Sequence, residues 1–163
     1  LALFRPSLDL SDYRFEFLAQ IDKKSLNWAF RAADHNNYYA MKIVLLNSGP
    51  LSKAVIQRFA VIDGKPDRVV QIAMPMAARN DTFLRVRVDV RGQNFTTSVN
   101  DQVVSFWSDD RLDRGGVGFF SDKGERARLR WVEVSHQYDA LGRLCAMLAP
   151  YSIQPGNGSL DRQ

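Results

Sequence analysis

The stretch from Leu84 to Val134 constrains the fold more than any other part of this chain. It runs Leu84-Arg-Val-Arg-Val-Asp-Val-Arg91, then Gly92, Asn94 to Val99, an Asn100-Asp101 turn and Gln102 to Trp107. It closes with Gly115-Gly-Val-Gly-Phe-Phe120 and Leu129-Arg-Trp-Val-Glu-Val134. Apolar and polar residues alternate with a period of two, and each run ends at Gly, Asn or Asp. That is the pattern of short half-buried strands joined by tight turns.

The first half repeats it. Tyr13, Phe15, Phe17, Ala19 and Ile21 alternate with Arg14, Glu16, Leu18, Gln20 and Asp22, so Leu18 is the one apolar residue on the outer side. Strands are expected over 26–33, 38–46, 53–62 and 68–73, with turns at Asp22 to Ser25, Asp34 to Asn37, Asn47 to Pro50 and Asp63-Gly64. Pro75 ends the last of these or places it at an edge, because proline cannot donate to a ladder. Turns at roughly 8–12-residue intervals argue for an all-β, two-sheet antiparallel sandwich. The end of the chain differs. Leu141, Leu144, Cys145 and Leu148 recur at helical spacing after Asp139 and before Pro150, which predicts a short C-terminal helix. The division expected is a sandwich over 1–136 and a helical or extended tail over 137–163.

A chain of 163 residues, 45% hydrophobic and 25% charged, suits one soluble domain with a substantial core. Its longest apolar run, Leu144 to Pro150, is far short of the ~20 residues that span a bilayer. Cys145 is the only cysteine, so no intrachain disulfide forms. The net charge of +4 comes mainly from arginine. Arg85 with Arg87, and Arg126 with Arg128 and Arg130, stand two apart and so share a strand face. A nucleic-acid groove would interleave aromatic side chains for base stacking. Only Trp131 lies nearby, so the stripes predict solvated faces and no nucleic-acid partner.

Several blocks, taken in order, resemble the concanavalin A-like (laminin-G-like) jelly-roll superfamily, and most closely the bacterial "DUF1080" (3-keto-disaccharide hydrolase-like) domains. They are Trp28-Ala-Phe-Arg-Ala-Ala-Asp34 with Asn37-Tyr-Tyr-Ala-Met-Lys-Ile43, Leu84-Arg-Val-Arg-Val88 with Gly92, and Val99-Asn-Asp101. Asp110-Arg-Leu-Asp-Arg-Gly-Gly-Val-Gly-Phe119 with Ala127-Arg-Leu-Arg-Trp-Val-Glu-Val134 completes the match. Family domains open with a Trp-containing strand that has no counterpart ahead of Leu1-Ala2-Leu3-Phe4. The resemblance therefore implies a first strand outside this sequence, or one replaced by the tail. It also implies an extracytoplasmic location and a carbohydrate or glycan partner.

Catalysis has little support. A retaining glycosidase needs two carboxylates about 5 Å apart, and no Glu-x-Asp-x-x-Glu strand supplies them, so no catalytic residue is assigned. His35 and His136 are the only histidines, too few for a zinc site without remote convergence. Asp109, Asp110 and Asp113 are weak Ca²⁺ candidates through oxygen ligands, with Arg111 and Arg114 at hand to neutralise them instead. No cofactor is otherwise expected. For ligand binding, if Tyr39, Met41, Ile43 and Leu45 face the core, then Tyr38 and Lys42 face outward. The same alternation turns Arg31 away from Phe30. Arg31, Tyr38 and Lys42 would then meet a ligand carrying hydroxyl or carboxylate groups on the concave sheet face. Trp107 adds stacking surface, and Arg58, which shares a face with Ile56 and Ile62, is a further candidate. The expected function is a non-catalytic carbohydrate- or glycan-binding module of a larger bacterial protein. The alternatives are a sugar-acting hydrolase of the 3-keto-disaccharide type and a structural or protein-interaction domain, with oligomeric state left open.

Overall fold

The alternating segments form the strands that their patterning requires. In chain order they are β1 (Ala2–Leu3), β2 (Tyr13–Lys23), β3 (Ser25–Ala32), β4 (Tyr38–Leu45), β5 (Ala54–Ile62) and β6 (Lys65–Pro66). Then come β7 (Val70–Ala73), β8 (Phe83–Arg91), β9 (Asn94–Val99), β10 (Gln102–Ser108), β11 (Gly116–Phe120) and β12 (Arg126–His136). The computed structural model describes residues 1–47 and 53–136. The expected C-terminal helix and the tail over 137–163 lie outside the described residues.

Two antiparallel sheets face each other. The larger is ordered β1-β11-β3-β4-β5-β6, with β7 also pairing β5, and the smaller is ordered β10-β9-β8-β2-β12. The sandwich read from the sequence is the fold that forms. The expected strand from Arg68 begins instead at Val70, because the Arg68 amide donates to the Asp67 carboxylate at 2.7 Å rather than to a ladder.

The core fills the space between the sheets. Tyr13, Phe15, Phe17, Ala19 and Ile21 of β2 are fully buried, as are Trp28, Phe30, Tyr39, Met41 and Ile43 opposite. Phe17 meets Trp28 at 5.5 Å and Phe119 at 5.0 Å between ring centroids, both edge-on, the arrangement aromatic quadrupoles favour. Leu18 faces out, as its place in the alternation requires.

The basic stripes lie on the outer face of the smaller sheet and are neutralised there. Glu16 takes hydrogen bonds from Arg85 and Arg87, and Asp22 takes ion pairs from Arg126 and Arg128. Arg130 instead lies 5.5 Å from the Phe83 ring. A register shift between Leu129 and Trp131 takes it out of line with Arg126 and Arg128.

Candidate functional site

The outer face of the larger sheet carries the best-built polar site. Because Trp28, Phe30, Tyr39 and Met41 point inward, Asn27, Ala29, Tyr38, Ala40 and Lys42 point outward. Strand register places Phe120, Asn27, Lys42, Gln57 and Gln71 in one row across β11, β3, β4, β5 and β7. At ~4.8 Å per strand gap the row is roughly 19 Å long. The next row holds small residues, Gly118, Ala29 and Ala40, and ends on Phe59.

That small-residue row explains an unusual burial. Ala29 and Ala40 are fully buried although they face outward. Above them the Tyr38 and Phe120 rings approach to 6.3 Å between centroids. The two half-buried rings close over the alanine row and form an aromatic shelf.

Lys42 organises the polar side of this shelf. Its Nζ donates to Asp122 at 2.5 Å and to Glu125 at 3.2 Å, and lies 5.8 Å from the Phe120 ring centroid. Glu125 also accepts from Asn27 Nδ2 at 2.5 Å and from the Asp122 amide at 2.7 Å. Burial pushes the Glu125 carboxyl up, but hydrogen bonds from the Asp122 amide, Asn27 and Lys42 outweigh it and hold the group below the ordinary glutamate range. Burial opposes the Lys42 charge, and bonds to Asp122 and Glu125 overcome it, so the ammonium titrates above its usual range. Burial and the nearby Asp122 charge raise the Tyr38 hydroxyl, which therefore stays a proton donor at neutral pH. Next along the row, Gln57 and Gln71 are joined at 3.1 Å. The result is an aromatic surface beside two carboxylates, an ammonium and three amides, a combination that recognises hydroxyl groups by position and ring faces by stacking.

The residues expected to form a site are only partly brought together. Tyr38 and Lys42 do share the outer face. Arg31 does not join them: it is 1% exposed and turned inward. Its Nη2 donates to the Gly92 carbonyl at 2.5 Å, and its backbone amide donates to Tyr13 Oη at 2.8 Å. The physical reason is a bulge. Two residues separate Ala29 from Ala32 while one separates Gly118 from Gly116, and Arg31 takes φ +50°. Simple alternation therefore fails at this position.

Arg58 and Trp107 meet elsewhere, at one end of the sandwich. The Arg58 guanidinium lies 5.2 Å from the Trp107 ring, which packs edge-on against Phe30, Tyr39 and Phe95. The aspartates stand nearby without converging. Tyr39 Oη donates to Asp109 at 2.7 Å, and Arg111 donates to it at 2.6 Å through Nη2. Asp113 lies 3.8 Å from Arg114. Among the described residues no group of three or more His, Cys, Asp or Glu could hold a metal ion. The contributions of Phe120, Asp122 and Glu125 were missed by sequence reasoning. They lie 78 or more positions beyond Lys42 in the chain, and nothing local to either segment signals the contact.

The Asp109 knot has a pH signature. Burial pushes its carboxyl up, but hydrogen bonds from Arg111 and Tyr39 prevail and hold it at about 2, against an ordinary 3.8. A depressed carboxylate contributes stability that is full above 3.8 and disappears as pH falls through about 2. Asp109→Asn is expected to unfold at lower urea than the parent at pH 6, with the gap closing between pH 3.8 and about 2. A gap unchanged at pH 2 would remove the carboxylate as its cause.

No family model and no curated protein matches this chain. Solved structures do. The carbohydrate binding module CBM66 from Bacillus subtilis superposes with a TM-score of 0.61 at 15% identity, covering 77% of this chain and 76% of that one. Xenopus laevis galectin-Ib gives 0.64 at 12% identity, covering 82% and 98%. Sheep galectin-11, in a complex with glycerol, gives 0.58 at 12% identity, covering 78% and 93%. At these identities the likeness is one of fold: this chain is a two-sheet jelly roll of the kind found in lectins.

Proposed function

We propose that this chain is a non-catalytic glycan-binding module that seats a sugar on the outer face of its larger sheet. The observation that carries the reading is the Tyr38–Phe120 shelf, set beside the row of Lys42, Gln57 and Gln71 with Asp122 and Glu125 behind it. A sugar ring offers an apolar face to the shelf and hydroxyls to the amides and carboxylate. Further support comes from the company the fold keeps, a carbohydrate binding module and a galectin holding the polyol glycerol. The reading needs no cofactor and suits an extracytoplasmic protein that meets glycans. The alternative reading within the same fold is a hydrolase of the 3-keto-disaccharide (DUF1080) type. Asp122 and Glu125, which converge on Lys42 Nζ, are the carboxylates such an activity would use.

A glycan array followed by calorimetry tests the proposal. Binding with Kd below ~1 mM is expected, and Tyr38→Ala weakens it at least ten-fold by removing half the shelf. Failure of every glycan to bind, or a Tyr38→Ala variant that binds like the parent, would sink the idea. A dimer that persists in light scattering with no glycan bound would point to a structural role instead. Release of reducing sugar that Glu125→Gln abolishes would establish the hydrolase.

A further inference from the structure

The cleft at the end of the sandwich, remote from the Lys42 network, holds a guanidinium prepared for an anion. It encloses about 180 Å³ between β5, β7 and β10 and is lined by Arg58, Phe59, Asp67, Arg68, Trp107 and Asp109, among others. Arg58 is half-buried and lies against the Trp107 ring. Among the described residues its side chain makes one hydrogen bond, from Nη1 to the Phe106 carbonyl at 3.1 Å, and no carboxylate pairs with it. The acids that could do so are engaged by another arginine: Arg111 binds Asp67 at 3.0 Å and Asp109 at 2.6 Å. Three arginines and two aspartates line the cleft, so its net charge is positive.

Free Nε and Nη2 are the edge of a guanidinium that grips a carboxylate with two parallel hydrogen bonds. The Trp107 contact and the Phe106 carbonyl hold the plane in place before a ligand arrives, which lowers the ordering cost of binding. Desolvation disfavours the unpaired Arg58 charge and lowers its affinity for the proton, and an incoming carboxylate would relieve that penalty. Asp67, half-exposed beyond its bond to Arg111, is an acceptor for a hydroxyl, while Val70 and Trp107 supply apolar walls. At ~30 Å³ per water the volume equals about six waters, room for the acidic end of one sugar.

We propose that this cleft is a subsite for a sugar acid, with Arg58 receiving the carboxylate. This deepens the glycan-binding reading and rests on it. The cleft opens at β5, where Arg58 points into it and the neighbouring Phe59 points the other way, beside Ala40 on the outer face.

Titration with D-glucuronate and D-glucose, which differ only at C6, tests the proposal. Chemical shifts of the Trp107 indole N–H serve as the local readout. The parent is expected to bind D-glucuronate at least ten-fold more tightly than D-glucose and to move the Trp107 signal. In Arg58→Gln the preference falls to within about two-fold. Arg58→Lys, a point charge without the fork, retains part of it. Acetate marks the simpler alternative: if it binds as tightly as D-glucuronate, the cleft is a plain anion site and the sugar-acid assignment fails. Equal binding of D-glucose and D-glucuronate overturns the subsite alone. No binding of either sugar overturns the subsite, and with a silent glycan array it removes the glycan-binding reading as well.

Discussion

Replacing Lys42 with methionine is expected to cost about 3 kcal/mol of stability, the lower end of the range for breaking a buried ion pair, and to abolish glycan binding on the outer face. The ammonium is 11% exposed and Glu125 13%, so neither charge can fall back on water once its partner is gone. Methionine fills the stem volume but leaves Glu125 to neutral donors such as Asn27 and the Asp122 amide. The segment carrying Asp122 and Glu125 then loses its tie to β4, and the polar side of the site goes with it. Adding Glu125→Gln to Lys42→Met removes the stranded charge and should return at least 1 kcal/mol. A double variant whose cost equals the sum of the singles would show that the two groups are not coupled. The pH dependence has a definite sign. Glu125 titrates below its ordinary 4.5, so the pair stabilises the fold above 4.5 and loses that contribution on acidification below it. Lys42 titrates above its ordinary 10.5, so the contribution is full up to 10.5 and fades at still higher pH. Urea melts at pH 3, 7 and 11 on the parent and the Lys42→Met variant would trace that plateau.

Gly115→Ala is expected to be worse, lowering stability by roughly 4 kcal/mol, the sum of backbone strain and overpacking. Gly115 has φ +144°, a region that a Cβ makes unfavourable. The added carbon would also lie 2.5 Å from the Arg31 carbonyl carbon and 2.6 Å from that of Ala32. Those are main-chain atoms of β3, so no side chain can swing aside. The damage falls on the bulge that turns Arg31 inward, and against a total stability of about 5–15 kcal/mol the loss is severe. Gly92→Ala is the matched control, with φ +52° but nothing within 4 Å of the added carbon. It should cost only about 1–2 kcal/mol, the left-handed penalty alone. Thermal melts that place the two variants at the same midpoint would show that the close approach to β3 carries no weight.

How legible was this molecule in its sequence? The strands were legible wherever one face is core and the other solvent. Along β2 and β8 every second residue is buried apolar, and a shift by one position would expose the whole set. The Asn100-Asp101 turn was legible for a local reason as well: both residues take positive φ, which their side chains tolerate. Arg31 was misplaced because a bulge inserts one residue into β3. The signal for it lies in Gly116 and Gly118, more than 80 residues away.

The site was legible to the same degree. Tyr38 and Lys42 could be placed on one face from β4 alone. Phe120, Asp122 and Glu125 could not, since they come from the far side of the chain through the pairing of β11 with β3. Arg58 and Trp107 were both candidates, yet only the closure of one sheet over the other sets them 5.2 Å apart. Taken alone, the sequence determined the repeating short strands, their inward and outward faces, and hence the two-sheet sandwich, because a period of two is a local property of the chain. The tertiary structure alone decided which outward residues become neighbours, and so where a ligand can sit. Those contacts depend on strand order, register and bulges, which join residues with no local relation to one another.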